Sequence, residues 1–341
     1  MNSNLKYTTE TRSHREKNGE RTLCPLCLCA SVVFIVFSGF TLFAADISAP
    51  KMEIIDSPQG RMTVFPQGIT ITDKDMKITG KNAIFYEKEN RAKIYDSLLI
   101  ISPRFTITAD TADYSFAEKK TNLKGNVIVE SETLQIKTPF LTFEQGRNLV
   151  KARNSVIIKE KQQNLTIFSK NGEYDFNEAL GIVDSFPTLQ IERSDTTIVN
   201  SGKMILKNRQ FQFFAIDSVS AKTGKTILMC DTLLFFINED SGLALGNPKV
   251  LDKQNQISGK TIRFYFSQED SIQKMQEKSA LKTVKIIDAA SATYITDDGG
   301  ILEVQGNIIS INYKNGDIDN IKVSGDTLNL VSGQFTPKQE L

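Results

Sequence analysis

Apolar side chains along this chain follow two superposed rhythms, a short one of two residues and a long one near 30. One apolar anchor per copy traces the long rhythm: Ile78, Ile107, Leu134, Ile167, Val199, Leu228, Ile257, Ile287 and Val323, spaced by 29, 27, 33, 32, 29, 29, 30 and 36 residues. Seven positions after each anchor stands a second large apolar group: Phe85, Tyr114, Leu141, Tyr174, Leu206, Phe235, Phe264, Tyr294 and Leu330. Two distant copies nearly coincide, Ile78-Thr-Gly-Lys-Asn-Ala-Ile-Phe-Tyr and Ile257-Ser-Gly-Lys-Thr-Ile-Arg-Phe-Tyr. A fixed period of this length marks stacked units, none of which buries its apolar face alone.

The short rhythm makes the units strands. Leu134 and Ile136 alternate with Gln135 and Lys137, Leu141 and Phe143 with Thr142 and Glu144, and Leu189 and Ile191 flank Gln190. Period two places one dry face against one wet face, and Val, Ile, Thr, Phe and Tyr dominate the runs, as strands require. About 20 residues after each anchor comes a turn-prone doublet, as in Asp96-Ser-Leu, Gly125-Asn-Val, Asn154-Ser-Val, Asp217-Ser-Val, Gly246-Asn-Pro and Gly306-Asn-Ile. Gly, Asn and Asp tolerate positive φ, so these doublets are expected just before a strand. Each copy thus reads as strand, polar turn, strand and corner. The fold expected is all-β, an elongated antiparallel two-sheet β-jelly-roll of roughly 16 to 20 strands. Its repeats occupy 61–335, after a leader (1–45) and a linker (46–60), with a short tail at 336–341. Ser267 to Lys285, rich in Gln, Glu, Lys and Ser, reads as a helix or loop inserted into the eighth copy.

Leu23 to Ala45 is apolar and uncharged. It suits a signal sequence cleaved after Leu42-Phe43-Ala44, or an uncleaved anchor just long enough to span a bilayer; either places the repeats outside the cytoplasm. Setting aside the five basic and three acidic residues of this leader, 36 basic face 37 acidic side chains. That balance removes a general electrostatic case for nucleic acid. Cys24, Cys27 and Cys29 have the close spacing of metal ligands, but their apolar, membrane or cleaved setting argues against zinc. Cys230 stands alone in the repeats, so no intrachain disulfide staples them.

The one histidine, His14, lies in the leader, and the repeats contain no Trp. The usual pairings of base and nucleophile are therefore missing, and no catalytic residue, metal or cofactor is expected. Asp110, Asp231 and Asp326 recur three residues after an anchor. A catalytic group occurs once, not once per repeat, so these read as strand residues on the wet face. The recurrent aromatics are core residues first; a second reading leaves the interior partly open as an apolar trough.

Two stretches carry a family resemblance: Ala109-Asp-Thr-Ala-Asp-Tyr114 leading to Leu123-Lys-Gly-Asn-Val127, and Cys230-Asp-Thr-Leu leading to Leu245-Gly-Asn-Pro. With the apolar leader, they resemble the OstA/LptA/LptC-like lipopolysaccharide transport family over roughly residues 60–335. The resemblance implies a periplasmic, semi-open β-jelly-roll whose interior holds the acyl chains of lipopolysaccharide. It also implies partners: other jelly-roll proteins joined through edge strands, and an inner-membrane transporter complex or an outer-membrane translocon. The inward parity then nominates Val127, Val129, Leu134, Ile136, Leu141, Phe143, Leu165, Ile167, Leu189 and Ile191 as the lipid groove. The chain is about twice as long as the smallest relatives. The competing reading is a structural or surface β-repeat protein, adhesin-like, with a packed interior and no lipid.

Overall fold

The computed structural model describes residues 45–58, 60–162, 164–192, 196–252, 254–266, 281–295, 299–314, 317–325 and 331–336. These form one antiparallel sheet of 26 strands, interrupted by three single 3-10 turns at Gln145–Arg147, Asn208–Gln210 and Ile237–Glu239. Long strands such as Phe105–Ser115, Lys120–Ser131, Leu134–Glu144 and Leu149–Glu160 pair along their whole length with the strands before and after. Each ladder nevertheless shifts register near its middle, for example between Thr108 and Thr111 or between Thr138 and Phe140. There the strand turns a corner, so one half lies in a first layer and the other in a second. Among the described residues ten passes cross the corner as one strand and eight are split in two. The 26 strands are therefore 18 passes, two for each of nine copies.

Inward side chains line up across the passes. In the second layer an unbroken cross-strand row runs Ile71, Ile78, Ile100, Ile107, Val129, Ile136, Ile158, Ile167, Leu189 and Val199. It continues through Ala221, Leu228, Val250, Ile257, Ala292 and Val304. The facing row of the first layer alternates large with small: Phe85, Ala92, Tyr114, Thr121, Phe143, Val150, Tyr174, Gly181, Leu206. Alternation lets each ring lie over its small neighbour, the interdigitation that fills a sandwich core. At Gly242 a Cβ would overlap the Phe264 ring, so this glycine is the small partner of that pair. The layers meet where Phe105 of the second packs on Phe143 and Phe176 of the first, with ring centroids 5.5 and 4.1 Å apart.

The doublets are the corners themselves: Asp96-Ser97, Gly125-Asn126, Asn154-Ser155 and Asp217-Ser218 lie inside an unbroken strand, whereas Gly246-Asn247 stands before strand Lys249–Asp252 as expected. In the passes that leave the first layer for the second, both doublet residues are left-handed: Asp96-Ser97, Gly125-Asn126, Asn154-Ser155, Ser185-Phe186, Asp217-Ser218, Gly246-Asn247 and Asp288-Ala289. Gly306-Asn307 lies in a returning pass and is not left-handed. Returning corners use another device, because their backbone bonds to the left-handed neighbour: Lys81, Gly202 and Lys260 donate N–H to the carbonyls of Asp96, Asp217 and Asp288 at 3.0, 2.8 and 2.9 Å. Asp110 and Asp231 sit at returning corners, where each carboxylate fills the space a Cβ on Gly125 or Gly246 would need. Asn126 Nδ2 donates to Asp110 Oδ2 at 3.0 Å. Their recurrence is thus corner chemistry; Asp326 lies outside the described residues.

Three other expectations change. Strands Asp46–Ser48 and Glu53–Ser57 already pair onto the sheet within the stretch read as a linker. Leu281–Lys285, read as the end of an insertion, opens strand Leu281–Ile295, while 267–280 lies outside the described residues. The additional length of that copy displaces the series, so Ile286 and Ala292 point inward and Ile287 does not. Val323 pairs with Ile309 in the first layer and is no equivalent of Ile78.

Gly125→Ala forces a left-handed alanine into the Asp110 carboxylate and should cost about 1–3 kcal/mol in urea unfolding. Ser155→Gly, at φ 77°, should cost nothing or stabilise slightly. Equal losses for both variants would remove the corner argument.

Candidate functional site

The interior between the layers is where the sequence placed a ligand. All ten nominated residues point into it, eight from the second layer and Leu141 and Phe143 from the first. Nine are 5% exposed or less, and Ile191 is partly buried against them. The structure therefore gathers them, but in the most tightly filled part of the stack. The cavity nearest them, lined by Ile158, Ile167, Tyr174, Gly181, Val183, Met204 and Leu206, has about 10 Å³. That holds at most one water, far less than an acyl chain requires.

Side chains from the hairpin turns shut this part. Asp73, in a second-layer turn, is buried and accepts from Lys119 Nζ at 2.9 Å and Gln145 Nε2 at 3.0 Å, both from first-layer turns. Tyr114 OH donates to Gln145 Oε1 at 3.4 Å. Next along the mouth, Arg104 Nη1 donates to the Phe176 carbonyl at 2.9 Å and to Asn177 Oδ1 at 3.2 Å, alongside the Phe105 stack. Burial, with the Asp73 carboxylate nearby, pushes Tyr114 up to about 12. Burial with Glu160 does the same to Tyr174. Both phenols stay protonated at any physiological pH, and Tyr174 OH accepts from Asn208 Nδ2 at 3.3 Å.

Towards the later copies part of the interior becomes accessible, while Ile257, Ile262, Val284, Ile286, Ala292 and Ile311 stay buried. The inward side chains Ala221, Leu228, Phe235, Val250, Phe264, Leu302, Val304 and Tyr313 are only partly buried, although they continue the rows that are closed earlier. Phe266 joins Phe235 and Phe264 at ring separations of 6.3 and 5.7 Å. Tyr294 OH in this stretch is buried without a hydrogen-bond partner. Leu228, Phe235 and Phe264 belong to the repeat series, so the sequence carried their inward parity. It carried no sign of which copies have a latched mouth, since each latch joins residues 46 to 73 positions apart.

Cys230 is buried at the residue before a returning corner. Thr138 and Ser201 hold that place in other copies; Thr138 Oγ1 donates to the Arg153 carbonyl at 2.9 Å and Ser201 Oγ to that of Lys203 at 2.9 Å. Burial and the neighbouring Asp231 raise the thiol to about 11. It is a packed stand-in for a hydroxyl, with no nucleophilic character. Among the described residues no three His, Cys, Asp or Glu side chains gather as a metal site, and no helix is long and apolar enough to cross a membrane.

No family model matches the chain, and no curated protein matches it. Among solved structures it is similar to LptH of Pseudomonas aeruginosa, described as the LptA-homologous periplasmic component of a lipopolysaccharide transport device. That likeness has 10% identity over 52% of this chain and 92% of that one, with a TM-score of 0.20. The WD40 domain of SCAP from fission yeast is similar at 8% identity over 87% and 91%, with a TM-score of 0.15. At these scores neither likeness bears on what the chain does.

Lys119→Met strands the Asp73 carboxylate under cover and should cost about 1–3 kcal/mol, more than the paired change with Asp73→Asn. Urea unfolding of the two variants checks this; equal costs would mean the latch contributes nothing. Mass mapping should find Cys230 unalkylated by iodoacetamide at pH 8 until denaturant is added. Labelling of the native protein would overturn its placement.

Proposed function

We propose that this protein carries a lipid by its acyl chains between the two layers, admitting them through the mouth of the later copies. The observation that carries this reading is the change of burial along one continuous inward row: buried from Ile71 to Val199, then partly accessible at Ala221, Leu228, Val250 and Val304, with Ile257 and Ala292 buried between them. A row that only packed against itself would have no reason to open where its residues remain large and apolar. Each chain methylene buried there is worth about 0.8 kcal/mol, so several chains are held without a dedicated polar site.

The OstA-like stretches at 109–127 and 230–248 favour lipopolysaccharide as the lipid and the periplasm as its setting. The protein then acts as a carrier with no bond-making chemistry and no cofactor. It passes its load along a bridge between an inner-membrane transporter and an outer-membrane translocon. The edges of the described sheet suit such joints. Among the described residues strand Glu53–Ser57 pairs on one side, with Ile54 and Ile55 exposed. At the other end, again among the described residues, Asp317–Ser324 pairs with Ile301–Lys314. An unpaired edge offers its N–H and C=O groups to a partner strand.

A packed, ligand-free repeat protein is the second reading, favoured by the filled interior of the early copies. The two part in one experiment. Photo-reactive residues at Phe235 and Phe264 should label with lipopolysaccharide in the full chain, while those at outward Arg263 and Lys285 should not. No labelling at the inward pair, or equal labelling of both pairs, would favour the packed reading.

A further inference from the structure

The outer face of the first layer changes character for five strands. After Val64 and Ile84 at its start, its middle row in the early copies reads Lys93, Asp113, Asn122, Thr142, Lys151 and Glu173, as a solvated face should. The same row then becomes Ile182, Ile205, Phe214, Leu234 and Leu243 before returning to Arg263 and Lys285. All five apolar side chains are half-buried, as Lys93 and Thr142 are, and Lys207 Nζ lies over the Phe214 ring, 4.8 Å from its centroid. One row towards the corner the strands are mixed, with Lys203, Ile216, Thr232 and Leu245 in succession. The strands concerned read as continuous apolar runs, Phe213-Phe-Ala-Ile216, Leu233-Leu-Phe-Phe236 and Gly242-Leu-Ala-Leu245. Such runs belong to strands covered on both faces.

We propose that a second copy of this chain covers this face, layer against layer, about a two-fold axis running along strand Gln212–Thr223 at Phe214. The row is self-complementary about that residue, as an isologous interface requires. Rotation brings Ile182 opposite Leu243, Ile205 opposite Leu234 and Phe214 opposite itself. The first charged residue on one side, Glu173, then faces Arg263 of the second copy. The next position pairs Lys151 with Lys285, but Lys151 is already neutralised by Glu144 at 2.7 Å. The apolar stripe is ~24 Å across, too small by itself for the ~800 Å² per partner of a standard interface. The flanking positions must therefore close too, with Glu173 against Arg263 as the opposite-charge pair that fixes the partner as this same surface turned over. Sheets packed this way lie ~10 Å apart, within reach of these side chains.

The test uses the purified full chain. A photo-reactive residue at Phe214 should give a covalent homodimer, and one at Asn122 on the solvated part of the same face should not. In sedimentation velocity, Glu173→Arg and Arg263→Glu should each weaken the dimer by about tenfold or more, and the double exchange should restore it. Circular dichroism should stay unchanged, as both residues lie on the surface. A chain that sediments as a folded monomer at every concentration would overturn the proposal, as would a double exchange no tighter than the singles. These readouts involve no lipid, so they stand or fall apart from the carrier reading.

Discussion

A strand that belongs to two layers has to change direction without giving up its ladder, and in this molecule that constraint governs the rest. Period-two alternation keeps one parity inward only while the strand is straight. At a corner the register must slip so that the inward parity is recovered on the other side. Two consecutive left-handed residues achieve the slip in each pass leaving the first layer, from Asp96-Ser97 to Asp288-Ala289. The backbone groups released are taken up next door, by Lys81, Gly202 and Lys260 amides and by the Thr138, Ser169 and Ser201 hydroxyls. Small polar residues at these places follow from that accounting, since buried backbone groups left unpaired are costly.

With the corners fixed, the two inward rows face each other, and side-chain volume decides what lies between them. Rings alternating with Ala, Thr, Val and Gly close the early copies almost completely. Hairpin turns finish the closure, because Asp73, Lys119 and Gln145 or Arg104 and Asn177 reach across the mouth. Later copies keep the apolar rows but leave them partly open to solvent. Stability in such a stack is roughly a sum over neighbouring units, so one end is free to be firmly packed while the other stays looser, as the proposed carrier role requires.

This division assigns different work to the two surfaces of the first layer. Its inner face, with Phe235 and Phe264, belongs to the proposed lipid path. Its outer face, between Ile182 and Leu243, breaks the polar rule kept from Lys93 to Glu173. Apolar side chains on both sides of one sheet have a cost in solubility unless something covers each side. A ligand inside and a second copy outside satisfy both faces of the same strands.

The strand parity of Ile78, Ile107, Ile167, Val199, Leu228 and Ile257, the period near 30 from Ile78 to Ile257 and the turn-prone doublets were all legible in the sequence. Each is a local regularity, and local regularities survive in one dimension. The same reading put all the doublets before strands, because φ > 0 marks a bend but not whether the ladder continues through it. It misplaced Ile287 and Val323, since one long connection shifts a series counted by spacing. It chose Val127 to Ile191 as the groove on parity alone, and parity is identical in closed and open copies. Which copies close depends on turns far apart in the chain meeting across the mouth, Asp73 with Lys119 and Arg104 with Asn177. Only the stacking of one layer over the other brings those groups together, so tertiary structure alone decided where the interior is accessible.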